Sequence, residues 1–256
     1  MAARAVVAVS DGLDQRGGAS GGAVGGASPP PSAVREAVRA GHGRLITLVA
    51  GLGEEQARGA SDLPGWSRAH VLTHLTDLAR AFTRQTRAAL AGQLVEVYDG
   101  GRPGRDASIE AGSARPATVL VADLRAACTE LDQLWAHLEP DQWSLPSRYR
   151  DATLHEVLLC RWREVEVHAS DLALGLTPSD WTPQLCSHLL AFLAPRVPAG
   201  LRLSVVDAEP GATRTTGTGA AVTGHLPDLA AWLAGRTSGS PLHSSTGSLP
   251  DLRPWP

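Results

Sequence analysis

Apolar residues recur at intervals of three and four along the middle of the chain, the spacing expected on one face of an α-helix. This pattern predicts four long helices, over residues 32–52, 67–92, 116–138 and 153–175. Local signals support the starts: Ser67 is a favourable N-cap, Pro116 suits a first turn, and Thr153 with Glu156 forms a capping box. Long helices in series, with little strand signal between them, predict an all-α four-helix bundle with up-down-up-down topology.

Two features interrupt this regular pattern. Gly41 and Gly43 lie inside the first predicted helix, where each is unfavourable by about 1 kcal/mol relative to Ala and allows a kink. The connection over residues 92–115 is too long for a simple turn, and it contains Tyr98 and Arg105. Loops of this length are often functional, so we expect a lid or a wall of a binding site here.

The two ends of the chain differ from its helical middle. Residues 1–31 are rich in Gly, Ala and Ser and too poor in apolar residues to offset the entropy of ordering, which predicts a disordered tail. After Trp181, a helix is followed by short β-branched stretches near residues 201–207, 213–218 and 221–224, and then by a second helix. We therefore predict a metal-binding helical bundle over residues 32–178 and a small α+β domain over residues 179–256.

Composition excludes several classes of function. The net charge of −3 provides no basic surface for nucleic acid, and no run approaches the roughly 18 apolar residues that would predict a membrane span. The three cysteines match no metal or redox spacing, and no signal peptide is recognisable. These features predict a cytoplasmic protein.

Charged residues lie on the flank of the buried face of the fourth predicted helix. They follow one another at intervals of three, four and three: Arg161, Glu164, His168 and Asp171. Arg163 and Glu166 are instead expected to point to solvent. Because buried charge is costly unless it is paired or bound to a metal, the pattern leaves two interpretations, an internal salt-bridge ladder or a metal site.

The second predicted helix adds one further candidate ligand. His74 lies at the edge of the apolar arc of that helix, and His70 lies one step closer to solvent. A lone histidine in this position is usually a satisfied core residue. If the bundle brings His74 opposite Glu164 and His168, however, the three form a set that leaves one position open on a divalent ion, as catalytic zinc sites require.

Two segments on these helices are recognisable. Residues 63–80 (LPGWSRAHVLTHLTDLAR) and 161–181 (RWREVEVHASDLALGLTPSDW) resemble the mycothiol-dependent maleylpyruvate isomerase family, a branch of the DinB-like superfamily. Residues 98–116 and the C-terminal segments 226–242 and 249–255 are also similar to that family. The resemblance leaves only the N-terminal tail unexplained.

The resemblance implies a zinc ion held by His74, Glu164 and His168, with His70 as the competing choice on the second helix. It further implies isomerisation of maleylpyruvate to fumarylpyruvate with the small thiol mycothiol, which needs no protein nucleophile. Arg236 matches a family position implicated in activity and is the candidate catalytic residue. Its alternative role is that of an arginine opposing the dipole at the end of a helix.

Further roles follow for neighbouring residues. Asp171 is expected to hold the His168 ring, and Arg161 to support Glu164. Cys160 is expected to be inert, and Trp66 and Trp162 are expected to lie in the core.

Three other functions remain open: a mycothiol S-transferase for other electrophiles, a hydrolase that uses zinc-bound water, and a non-catalytic binding module stabilised by zinc. The expected partners are a small thiol and a small electrophilic substrate, and the expected state is a monomer or a small homo-oligomer.

Overall fold

The computed structural model describes residues 28–206 and 213–256, which fall into two compact units, Ser28–Leu174 and Gly175–Pro256. The tail predicted for residues 1–31 lies outside the described residues except for its last four. Pro31, the last of those four, already belongs to the first helix.

The first unit is helical. Its helices are α1 (Pro31–Leu48), α2 (Glu54–Arg58), α3 (Arg68–Leu90), α4 (Gly101–Ser113), α5 (Ala117–Ala136) and α6 (Leu154–Asp171). Helices α1, α3, α5 and α6 pack together as a bundle. The predicted caps are present, because the Ser67 side chain accepts from the His70 amide and the Thr153 side chain from the Glu156 amide. The four-helix bundle is therefore confirmed.

The connection predicted as a loop over residues 92–115 contains helix α4, so the expected loop conformation is wrong, whereas a role as a lid or wall stays a prediction. Glycines and serines hide the helix in the sequence, but its buried residues Arg105, Ile109 and Ser113 follow at intervals of four. Helix α4 runs back along α3, and Gly112 packs so closely on Thr73 that an added Cβ would clash with the Thr73 Cγ2 atom.

This return changes the order of helix directions. Ion pairs from Arg80 to Asp123 and from Arg87 to Glu130 advance together along α3 and α5, so these two helices are parallel. Helix α6 is antiparallel to α3, because Arg68 near the start of α3 donates to the carbonyl of Leu172 just after α6. The bundle is thus up-down-down-up and differs from the predicted alternation, because α4 carries the chain back before α5 begins.

Helices α1 and α6 approach closely at a glycine. Helix α1 continues through Gly41 and Gly43, and a Cβ on Gly41 would lie 2.8 Å from Glu166 Oε1 and 3.1 Å from Val165 Cγ1. Glu166 is only 9% exposed and pairs with Arg44 of α1. The expectation that Glu166 points to solvent is therefore wrong. Arg163, predicted to be exposed as well, is also buried.

The core between the bundle helices is made mainly of leucines that are fully buried: Leu45, Leu72, Leu75, Leu78, Leu124, Leu131 and Leu158. None of the helices in the described part of the chain is both long and apolar enough to cross a lipid bilayer.

The second unit combines helices with a small mixed sheet. Its helices are α7 (Pro183–Phe192) and α8 (Leu226–Leu233), and its strands are β1 (Leu201–Val206), β2 (Thr213–Gly217), β3 (Ala220–Gly224) and β4 (His243–Ser244). The strand order is β2-β1-β3-β4, in which β1 is antiparallel to β2 and parallel to β3. This arrangement confirms the predicted α+β character. Asp207, the last residue of the first predicted strand, lies outside the described residues.

Candidate metal centre

Helices α3 and α6 bring His74, Glu164 and His168 together inside the bundle. His74 Nε2 lies 2.9 Å from Glu164 Oε2, and His168 Nε2 lies 3.2 Å from the same oxygen. One ligand atom from each residue lies within 4.8 Å of the other two. All three side chains are at most 1% exposed.

Local structure explains why these residues meet. Glu164 and His168 are one turn apart on α6 and therefore share a face. The start of α3 is fixed against the end of α6, because Arg68 Nε donates to the Leu172 carbonyl at 2.6 Å and the Asp62 amide to the Asp171 carbonyl at 2.8 Å. These bonds fix the position of α3 along α6 and so place His74 beside Glu164 and His168.

Asp171 holds the ring of His168. Its carboxylate lies 2.7 Å from His168 Nδ1, as expected from the sequence. In the neutral tautomer that donates Nδ1–H to Asp171, Nε2 keeps a free lone pair on the side of Glu164, and within the described residues this buried nitrogen has no hydrogen bond of good geometry. Metal-bound histidines commonly have this carboxylate partner on the nitrogen that does not bind the metal.

The charges of the three groups suit a cation. Burial opposes ionisation of Glu164, but its combined interactions with His168 and His74 outweigh burial and hold the pKa of the carboxyl well below its usual range. Burial lowers the pKa of His74 to about 4, so its ring is neutral at neutral pH. A metal needs a neutral imidazole and an ionised carboxylate, and His74 and Glu164 provide them. Burial opposes protonation of His168, but Asp171 and Glu164 outweigh burial and raise its pKa, so a bound metal would displace a proton from this ring.

The spacing of the donor atoms also fits a metal ion. Two ligands about 2.0–2.1 Å from a tetrahedral zinc ion are about 3.4 Å apart. The two observed contacts of the Glu164 oxygen, 2.9 and 3.2 Å, are slightly shorter than this separation. The residues therefore fit a divalent ion bound by two imidazoles and one carboxylate.

His70, the competing histidine, is used elsewhere. Its Nδ1 lies 2.7 Å from Ser67 Oγ and accepts from the Ser67 amide, which completes the capping box of α3. Its Nε2 lies 3.2 Å from both Glu110 Oε2 and Ser113 Oγ. Both ring nitrogens thus have polar partners outside the set of three.

The sequence did not predict that two further residues, Trp66 and Arg105, lie beside His74. Trp66, expected in the core, is only half-buried, and its ring centroid lies 5.7 Å from that of His74. Arg105 of α4 is buried, and its charge adds to the effect of burial in lowering the pKa of His74. The spacing of four between the buried residues of α4 is the signal that could have revealed this neighbour. Trp162 is buried as predicted.

Three other residues predicted from the sequence have contacts of their own. Cys160 is buried, and burial raises its pKa to about 11, which fits the expected inert thiol. The Arg161 guanidinium, expected near Glu164, instead bonds to His42, Leu75 and Cys128. Arg236 follows α8 in the second unit, where its guanidinium donates to the Ala234 carbonyl at 2.6 Å.

The family models and the crystal structures that match this chain all belong to one group of proteins. Residues 38–173 match the model described as the mycothiol maleylpyruvate isomerase N-terminal domain, and residues 180–254 match the model described as the MDMPI C-terminal domain. The chain is similar to the crystal structure of the mycothiol-dependent maleylpyruvate isomerase, with a TM-score of 0.77, 25% identity, and coverage of 89% of this chain and 98% of that chain. A histidine-to-alanine mutant of that isomerase has the same TM-score and coverage at 24% identity. No curated protein sequence matches the chain.

Proposed function

Since the chain belongs to the mycothiol maleylpyruvate isomerase family, we propose that it is a metal- and mycothiol-dependent enzyme that converts maleylpyruvate into fumarylpyruvate. The observation that carries the proposal is the buried set of His74, Glu164 and His168, with His168 oriented by Asp171. In this proposal the three residues hold one divalent ion, which we take to be zinc. When bound, the ion would supply the positive charge that favours the thiolate form of mycothiol, the form that adds to a double bond.

The protein's own groups prepare this site. Asp171 keeps the proton of His168 on Nδ1, which leaves Nε2 as a lone-pair donor. Burial of the set excludes bulk water, so a charge placed there acts through a low dielectric. Because the Cys160 thiol, with a pKa of about 11, stays protonated, it does not compete as a nucleophile. An inert protein thiol at this place supports the use of an external thiol.

The substrate is a dicarboxylate and needs a cation to orient it. We assign this role to Arg236. Its bond to the Ala234 carbonyl also fits an arginine that closes the end of α8. Arg236→Lys separates the two roles, because lysine keeps the charge but loses bidentate carboxylate binding. A raised KM for maleylpyruvate at unchanged thermal stability supports substrate binding, whereas a lowered thermal midpoint at unchanged KM supports the structural role.

The first experiment measures the metal content of the purified protein and then mycothiol binding and maleylpyruvate turnover in the same sample. We expect about one zinc ion per chain, saturable thiol binding and formation of fumarylpyruvate. His74→Ala and Glu164→Ala should each lose metal and activity, because each removes one of three ligands. His70→Ala is the matched control and should keep most of its metal.

Each failure has a distinct meaning. Full zinc occupancy in the His74→Ala protein would overturn the ligand assignment. Zinc and mycothiol binding without turnover of maleylpyruvate would replace isomerisation by thiol transfer to another electrophile. A wild-type protein that binds no metal would leave the three residues as a buried salt-bridge network.

A further inference from the structure

Arg161 is a buried cation inside the bundle, and the proposed function gives it no role. Its Nε donates to His42 Nε2 of α1 at 3.0 Å, and its Nη1 donates to the Leu75 carbonyl of α3 at 2.8 Å. Its Nη2 donates to Cys128 Sγ of α5 at 3.3 Å. One side chain of α6 therefore bonds to each of the other three bundle helices.

The partners of Arg161 compensate its charge. His42 Nδ1 lies 2.9 Å from Asp132 Oδ1, so the imidazole can donate to Asp132 while Nε2 accepts from Arg161. Burial opposes ionisation of Cys128, but Arg161 and His42 together outweigh burial and lower the pKa of the thiol. The buried guanidinium thus has two acceptors that favour its charge: His42, which is itself paired with Asp132, and the Cys128 thiol, whose pKa is lowered.

Stability alone does not explain such a network. Apolar side chains of similar volume often stabilise a protein as much as a buried charged group, or more. A guanidinium differs from them in having rigid, planar donors that fix the relative positions of several acceptors. For Arg161 these acceptors are on three different helices, so the network specifies how the helices are placed.

The network lies next to the metal-binding set. Arg161 precedes Glu164 by three residues on α6, and Leu75 directly follows His74 on α3. The bond from Arg161 to the Leu75 carbonyl therefore joins α6 to α3 within about one turn of the 2.9 Å contact between His74 and Glu164. Binding sites of this kind need their groups placed to within about 0.5 Å, so this bond is well placed to set the ligand spacing.

We propose that Arg161 is a positioning residue of the metal centre: it fixes the distance between α3 and α6 at which His74 and Glu164 hold one ion. This inference rests on the proposed function, because it requires the three residues to bind a metal. It adds a role for a side chain that does not itself contact the ion.

The test compares substitutions of Arg161 in the full-length protein. Zinc affinity is measured by competition with a chromophoric chelator, and ligand geometry by the visible spectrum of the Co²⁺-loaded protein. Arg161→Met keeps the length of the side chain but removes its donors, and we expect a loss of zinc affinity of about 10–100-fold with a changed Co²⁺ spectrum. Arg161→Lys keeps the charge without the planar fork and should recover part of the affinity.

Trp135→Phe is the control for general loss of stability. Trp135 is buried on α5 and donates to Thr86 Oγ1 at 3.0 Å, and Thr86 lies near the end of α3 away from His74. This variant should have a lower thermal midpoint, with the zinc affinity and Co²⁺ spectrum of the wild type.

The outcomes separate the inference from the proposed function. A folded Arg161→Met protein with wild-type affinity and spectrum would overturn the inference. If that variant does not fold, Arg161→Lys decides, and wild-type affinity there would also overturn it. A wild-type protein that binds neither zinc nor Co²⁺ would contradict the metal centre itself, and the positioning role with it.

Discussion

The two glycines of α1 predict opposite effects of the same substitution. Both lie inside the helix, where Ala is more favourable than Gly by about 1 kcal/mol. At Gly43 a Cβ would meet nothing within 4 Å. We therefore expect Gly43→Ala to stabilise the protein by about 1 kcal/mol, which raises the thermal midpoint of a domain of this size by roughly 2–4 °C.

At Gly41 the same gain is opposed by packing. The new Cβ would lie 2.8 Å from Glu166 Oε1 and 3.1 Å from Val165 Cγ1, so α1 and α6 must separate or these side chains must move. Overpacking of this kind typically costs about 1–3 kcal/mol. Subtracting the helix gain of about 1 kcal/mol leaves a net loss of up to about 2 kcal/mol for Gly41→Ala.

Thermal unfolding followed by circular dichroism compares the two variants under one set of conditions. The expected difference between them is about 1–3 kcal/mol, because the helix gain is common to both and only Gly41→Ala suffers the overpacking. Because the comparison is between two glycines of one helix, changes in the unfolded chain largely cancel. Equal stabilisation of both variants would refute the close approach of α1 and α6 at Gly41.

Four further predictions concern the metal centre and its surroundings. Asp171→Asn should weaken zinc binding by about 10–100-fold in chelator competition, because it removes the carboxylate that orients His168, and unchanged affinity would contradict that role. Adding zinc at about 100 times its Kd should stabilise the wild type by about 2.7 kcal/mol in thermal melts, and the same shift in Glu164→Ala would contradict the ligand assignment. Ser67→Ala should lower the free energy of unfolding by about 1 kcal/mol in urea titrations, since it removes the N-cap of α3, and no loss would contradict the cap. Iodoacetamide at pH 8 should label the two buried cysteines of the bundle, Cys128 and Cys160, slowly in the native protein and fully after denaturation, and the pKa of about 11 for Cys160 adds to its protection; rapid native labelling of either would show that the bundle opens.

Features that depend on neighbouring residues could be predicted from the sequence. The caps at Ser67 and Thr153 are contacts within four residues, and both are present. The periodic apolar faces located the bundle helices for the same reason. Helical spacing alone could not predict that His74 lies close to Glu164, because it left the interpretation as an internal salt-bridge ladder open. The family resemblance supplied the pairing of the two helices.

Features that depend on tertiary packing could not be predicted. The burial of Glu166 follows from Gly41, because the missing side chain lets α1 approach α6 and cover the carboxylate. The parallel direction of α3 and α5 follows from α4, a helix whose glycine-rich sequence predicts a loop. The partners of Arg161 lie on three other helices, so no spacing along α6 indicates them.

Two adjacent sets of buried polar groups in the bundle have different effects. In the set around Arg161, each of the three guanidinium nitrogens donates to a protein acceptor. These hydrogen bonds can therefore fix the positions of the helices. In the other set, both histidines face one oxygen of Glu164, and His168 Nε2, 3.2 Å from that oxygen, makes no hydrogen bond of good geometry among the described residues. A buried group without a partner destabilises the fold by about 1–3 kcal/mol unless something binds it. We therefore place the proposed ion at the incomplete set, and in this proposal the bonds of Arg161 beside it keep α3 and α6 in position for the ion.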